Sequence, residues 1–323
     1  MAVAAQAPAK IVNSEGQFHR PCPVCERDEP QPFWSKHDLQ IVRCANCSML
    51  YVADVAPEFA SGQHYDRSEY HLWPDKLASD YSPVRFEREL RIFREFCPIG
   101  EVLDVGCSTG AFLVQLQSQF PQEYSGTGLD IAGAPLNYAE TRGIRVIREP
   151  FLEHDFAGER FDAVTFWAVM EHLPDPRAFL GGTAKILKPG SYCFILVPNM
   201  RSLAARLLGP RYRYVLPDHL NYFTAKTLLR FVQIEKRFEV RALRSTHFNP
   251  LVILQDLKNR GNPVDATARA RLLKKTTAMK QSRLLLGARL LYRACEAVLG
   301  HLYLADNLVI VLGVRPTVSA DCR

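Results

Sequence analysis

Short apolar runs alternate with amphipathic stretches through the middle of this chain. Runs at 101–105, 124–131, 144–149, 161–168 and 191–197 are separated by helix-like segments near 111–120, 136–142 and 176–188. Strands alternating with helices of this length predict a parallel sheet joined by crossover helices. Right-handed crossovers of that kind place ligands at the carboxyl ends of the strands. Farther on, Thr224 has the character of an N-cap for a helix reaching about 235, and an apolar run follows at 238–243. Residues 252–305 read as mostly helical, ahead of a last strand from Asn307 to Leu312. The expected fold class is α/β.

Upstream of this pattern the chain has a different texture. Residues 1–20 predict a flexible tail, 21–57 hold two cysteine pairs among prolines, and 58–100 become Tyr-rich and then helical, a lid or linker in which Tyr65, Tyr70 and Trp73 stand out. The domain proper runs from 101 to 323, with a basic helical insertion at 252–305. A length of 323 residues suits about two such units. Hydrophobic content of 47% and charged content of 23% exclude wholesale disorder.

Cys22-Pro23-Val24-Cys25 and Cys44-Ala45-Asn46-Cys47 form two CxxC units at the spacing of a four-cysteine zinc site. In so small a module the metal would supply much of the folding free energy, so a structural zinc is expected on Cys22, Cys25, Cys44 and Cys47. Glu26 and Ser48 stand where glycine often follows such a knuckle. Cys97, Cys107, Cys193, Cys295 and Cys322 are scattered, as small buried or bystander residues are.

The segment Glu101 to Gly110 is an apolar strand, a glycine turn and the start of a helix. Gly106 and Gly110 let the backbone approach a ligand closely, and twenty residues beyond Gly110 a second strand ends in Asp130. A nicotinamide site favours GxGxxG for its pyrophosphate, whereas this turn is GxxxG preceded by Asp104, which suits a cationic ligand without phosphate. On these residues the chain resembles the class I methyltransferases, with their Rossmann-like seven-stranded sheet and S-adenosyl-L-methionine as cofactor. The resemblance implies that Asp104, Gly106, Cys107, Ser108 and Gly110 wrap the methionine part and that Asp130, with Ile131 beside it, binds ribose. It also implies that Glu149, Phe151 and Leu152 enclose adenine, and it counts Trp167 with the cofactor site.

Phe161-Asp162-Ala163-Val164, followed by Glu171-His172-Leu173-Pro174-Asp175-Pro176, resembles the "EHxPDP" group that includes the ubiquinone-pathway O-methyltransferases. The likeness extends to Leu187-Lys188-Pro189-Gly190, Val197-Pro198-Asn199 and Asp218 to Thr224. Removal of a proton from the acceptor needs a base, for which His172 and His219 are the candidates, with Glu171 orienting its neighbour or touching the acceptor. Those enzymes carry a further acid where this chain has Ala168. The four-cysteine module combined with Asp218-His219 also resembles the NDP-sugar C-methyltransferases, in which an acid–histidine pair supports proton removal beside a carbonyl.

Charge changes the picture only locally. The net charge is +6, and ten Lys or Arg face a single acid, Asp265, between Lys258 and Arg293. Leu284, Ala288, Leu291, Cys295, Val298 and Leu302 follow helical spacing, with Arg283, Arg289 and Arg293 opposite. This predicts first a core-packing helix with a solvated basic face. The alternative is peripheral contact of 258–304 with an anionic membrane or a phosphorylated substrate. Arg206, Arg211 and Arg213 could hold a diphosphate. The first ten residues lack a basic region followed by an apolar one, and no stretch is long and apolar enough to span a bilayer, so the expected location is cytoplasmic, with the inner face of a membrane as its variant.

The function expected is methyl transfer to oxygen or carbon of a small-molecule acceptor: a sugar nucleotide, a glycan or a lipid-linked intermediate. A second reading is methylation of ribosomal or transfer RNA, disfavoured because the fourth strand leads into Trp167-Ala168-Val169 without the Pro-Pro-aromatic turn of base-modifying enzymes, and no basic stacking surface is evident. A third is a cofactor-binding scaffold without catalysis.

Overall fold

The computed structural model describes residues 11–12, 16–66, 70–259, 271–272 and 286–315. Residues 1–10, Cys322 and, within the basic insertion, 260–270 and 273–285 with Arg283 and Leu284 lie outside the described residues. The central sheet has seven strands: β1 (Gly100–Val105), β2 (Tyr124–Leu129), β3 (Arg145–Ile147), β4 (Phe161–Trp167), β5 (Leu187–Pro198), β6 (Phe238–Thr246) and β7 (Asn307–Val314). Their order across the sheet is β3-β2-β1-β4-β5-β7-β6, parallel except where β7 runs antiparallel to both neighbours. The central strands β4 and β7 read as largely apolar, buried runs because both faces are covered, whereas the edge strand β6 is polar and part-exposed.

On one face Phe93 of α1 (Glu87–Phe96) and Phe112 of α2 (Ala111–Gln119) pack against Trp167 and Phe194. Beyond β2, α3 (Gly133–Thr141) leads into β3. On the other face Phe179 of α4 (Pro176–Ile186) and Phe231 of α5 (Ala225–Val232) meet Phe151 and Phe166. Asp175 caps α4 by accepting from the Ala178 N–H at 3.0 Å, and Thr224 begins α5 in a capping box with Thr227.

The cysteine module is built into this core. A hairpin of Pro30–Lys36 and Leu39–Cys44 continues into Leu50–Tyr51, and the edge of that small sheet is completed by Asn221–Tyr222 from the far end of the chain. Cys22, Cys44, Cys47, Met49 and Tyr51 share a hydrophobic cluster with Phe179 and Phe231.

Two expectations are corrected. In α7 (Leu286–His301), which follows α6 (Pro250–Lys258), Val298 and Leu302 are 59% and 56% exposed and Cys295 is exposed, so they do not form a core-packing face. The helix turns Glu296 inward instead, where it binds Arg88 and the Phe248 N–H. Gly300 allows an approach to Ser245 O that a Cβ would block at 2.8 Å. Arg213 does not present itself to a diphosphate either: its guanidinium is committed to the buried Asp256 at 2.7 Å.

Candidate active site

The turn after β1 is held in a left-handed backbone. Gly106 and Gly110 have φ of +74° and +73°, and Ser108 between them is at +51°. Glycine adopts this conformation freely, but serine does so only where the surroundings fix it. The Gly106 and Cys107 N–H groups donate to Leu129 O at 2.7 and 3.2 Å, and the Ser108 N–H donates to Asp130 Oδ2 at 2.8 Å. Asp130 Oδ1 accepts from the N–H groups of Ile131 (2.8 Å) and Ala132 (3.0 Å). Asp130 is thus fully buried and bolts the turn to the end of β2. Asp104 is buried beside it, accepts from Thr165 Oγ1 at 2.6 Å, and is pushed up to about 7 by burial.

A cavity of about 270 Å³ opens over this turn. Asp104, Gly106, Cys107 and Ser108 form one wall, and Trp167, Glu171, His172 and His219 form another. Side chains from 70–89, among them Lys76, Asp80 and Arg85, close it over. That cover is anchored on α2, where the Gln115 side-chain amide donates to Asp80 O and Ser82 O at 2.9 Å each. Within the walls, Trp167 Nε1, Ser108 Oγ and Glu171 Oε2 are buried polar atoms without a hydrogen-bond partner among the described residues. Such atoms are costly unless a ligand or water meets them, so the donor and acceptor set suits a polar guest.

After β4, Ala168 takes a φ of +58°, which swings the chain so that Glu171 and His172 enter the cavity. Glu171 is buried, and burial raises its carboxyl to about 8. His172 Nδ1 lies 2.9 Å from Asp218 O. A carbonyl only accepts, so Nδ1 carries the proton and Nε2 keeps the lone pair. Burial, and after it the neighbouring His219, draw His172 down to about 3, which leaves the ring neutral at ordinary pH. Tyr65, ahead of the cover in sequence, reaches His172 Nδ1 at 3.0 Å, and the rings of Tyr65, His172, His219 and Tyr214 follow one another in a row.

The two knuckles converge as well. Cys22 and Cys47 Sγ are 3.4 Å apart, Cys25 and Cys44 Sγ 3.5 Å, and all four sulfurs lie within 4.8 Å of one another. A tetrahedral zinc with Zn–S near 2.3 Å sets its sulfurs about 3.8 Å apart, so this set fits the ion. Glu26 and Ser48 are at φ +58° and +63°, the conformation that favours glycine, and their N–H groups still donate to Cys22 O and Cys44 O at 2.9 Å.

Of the catalytic and cofactor residues singled out in the sequence, eight line the cavity and six do not, Leu152 being an exposed side chain away from it. Asp130 is sealed behind the turn, Gly110 packs against Ala139 and Ile144, and Ile131 packs against Tyr65. Glu149 is exposed beside His154 at 2.8 Å, while Phe151 stacks on Phe179 with centroids 5.2 Å apart, as a core ring. Lys76, Asp80, Arg85 and Tyr214 were not evident in sequence: a charge on a short helix, as at Lys76 and Asp80, reads as solvated surface until a cavity is seen beneath it, and Arg85 and Tyr214 sit in turns with no periodic signal.

Residues 65–233, more than half of the chain, match a family model described as a methyltransferase domain. The ubiquinone biosynthesis O-methyltransferase of Erwinia tasmaniensis is 31% identical over 166 residues, spanning 47% of this chain and 66% of that protein. The protein of the same name from Aliivibrio fischeri strain MJ11 is 27% identical over 179 residues, spanning 51% of this chain and 74% of its own length. A Thermotoga maritima structure, described as a SAM-dependent methyltransferase and possible histamine N-methyltransferase, aligns with 78% of this chain and 98% of its own at 16% identity and a TM-score of 0.49.

Proposed function

This chain belongs to the methyltransferase-domain family, and from that premise we propose that it transfers the methyl group of S-adenosyl-L-methionine to an oxygen or carbon of a small-molecule acceptor. The acceptor class proposed is a sugar nucleotide, a glycan or a lipid-linked intermediate. The observation that supports this reading best is the shared cavity: the turn from Asp104 to Ser108 and the group Glu171, His172 and His219 face one space.

When bound, the cofactor supplies an electrophilic methyl group on a sulfonium. The turn and Trp167 position it, and the cover at 70–89 excludes water. His172 takes the acceptor proton at Nε2, because Nδ1 is held by Asp218 O and the ring is neutral. Glu171, protonated near neutral pH, donates toward an acceptor oxygen without adding a negative charge beside the base. The four thiolates of Cys22, Cys25, Cys44 and Cys47 hold a structural zinc, away from the chemistry.

Calorimetric titration with S-adenosylhomocysteine tests the reading, comparing the zinc-loaded wild type with Asp130→Ala. The expected result is micromolar binding that weakens at least tenfold, about 1.4 kcal/mol, when the bolt beneath the turn is removed. Absence of binding to the folded wild type would overturn it.

A further inference from the structure

The buried Arg20 stands two residues ahead of the first cysteine and does not itself line the cavity, yet its guanidinium reaches both segments that carry the chemistry. Nε donates to Val52 O at 2.8 Å inside the module. Nη1 donates to Pro174 O at 2.8 Å, just after Glu171 and His172, and Nη2 donates to Leu220 O at 2.6 Å, beside His219. The same two segments are tied to each other: the N–H groups of Leu220 and Asn221 donate to Glu171 O at 2.7 and 2.9 Å, and Asn221 Nδ2 donates to Met170 O and Leu173 O. A planar fork with five fixed donors can join three carbonyls from three segments in one rigid group.

We propose that Arg20 is a positioning residue that couples the cysteine module to the methyl-transfer site, so that the state of the four-thiolate centre sets how firmly the Glu171–Pro174 and Asp218–Asn221 segments are held together. The catalytic part of this statement rests on the methyltransferase reading; the mechanical part does not. Arg20 shares its short stretch with Cys22, and the knuckle beyond it is held from the other side by Arg177, which donates to Val24 O at 3.3 Å and pairs with Glu26 at 3.0 Å. Loss of the metal frees Cys22, hence the backbone of Arg20, hence the relative placement of the two histidines that its fork spans.

Hydrogen exchange by mass spectrometry on the full, zinc-loaded chain tests this, with wild type, Arg20→Met and Arg20→Lys compared. In the Met variant, peptides covering 171–174 and 218–222 should exchange about tenfold faster while β1 and β4 keep their protection. The Nδ1 resonance of His172 should shift as its bond to Asp218 O loosens, and zinc content should stay at one ion per chain. The Lys variant, which keeps the charge and loses the fork, should fall between. Wild-type exchange and an unmoved His172 signal in Arg20→Met would overturn the proposal, as would loosening spread evenly over the central sheet. If Arg20→Met does not fold, zinc removal from the wild type carries the test: the two segments should loosen with the module ahead of β1 and β4, and their full protection after chelation would sink it. S-adenosylhomocysteine binding, followed in parallel, separates the two readings, because its absence from folded wild type defeats the methyltransferase assignment and leaves the exchange result standing.

Discussion

The imidazoles of His172 and His219 meet edge to face with their centroids 4.6 Å apart, in a pocket where both are buried. Burial and the nearby His219 keep His172 neutral, and rings in this contact face one acceptor together. Replacing either histidine with alanine is expected to slow methyl transfer by about 10²–10⁴-fold, and replacing both should cost little more than the worse single change. Product mass measured at saturating acceptor checks this, and fully multiplicative losses would mean that the rings act independently.

Stability should depend on pH through Glu171. Burial raises its carboxyl from 4.5 to about 8, so the folded state binds a proton that the unfolded state lacks between those values, and stability falls as pH rises across that window. His172 acts at the other end: it is held from 6.5 down to about 3, and the stability of its neutral form is lost as pH falls through that range. Glu171→Gln removes a titrating proton, so its urea-derived stability should decline less steeply between pH 5 and 8, by up to about 1.4 kcal/mol per pH unit. Parallel slopes for mutant and wild type would show that Glu171 is ionised across that window.

Gly128 has no room for a methyl group. A Cβ there would sit 2.6 Å from Cys107 Sγ and 3.2 Å from its Cβ. Gly128→Ala should cost about 1–3 kcal/mol in thermal unfolding. Added to Cys107→Ala, the same change should cost less than it does alone, because the obstructing sulfur is gone. Additive losses would place the strain elsewhere.

Zinc is expected at one ion per chain, released in proportion to thiol modification. Chelation, or Cys44→Ser, should lower the melting temperature, because Cys44 and Cys47 belong to the same cluster as Phe179 and Phe231. A chelated protein that melts like the untreated one would argue against a metal that supports the fold.

The sheet was legible because a strand covered on both faces is a continuous apolar run, and each run predicted from 101–105 onward coincides with a strand of the sheet. The cysteine quartet was legible through spacing. What spacing cannot express is which partner a polar group finds across the fold. Asp130 is met by the Ser108 N–H from a different loop, and Phe151 finds Phe179 on α4. The helix at 286–301 misled for a related reason: its apolar spacing is real, but the side that faces inward carries the buried Glu296, paired with the half-buried Arg88.

The pairing of Leu50–Tyr51 with Asn221–Tyr222 also bears on how the chain is made. The cysteines leave the ribosome early and can capture their metal at once, but the strand that closes their sheet is synthesised only after most of the central sheet has emerged. Until then the nascent module presents an open β edge to its surroundings. Chaperone occupancy during translation should therefore fall when residues 221–222 emerge, long after the fourth cysteine has appeared.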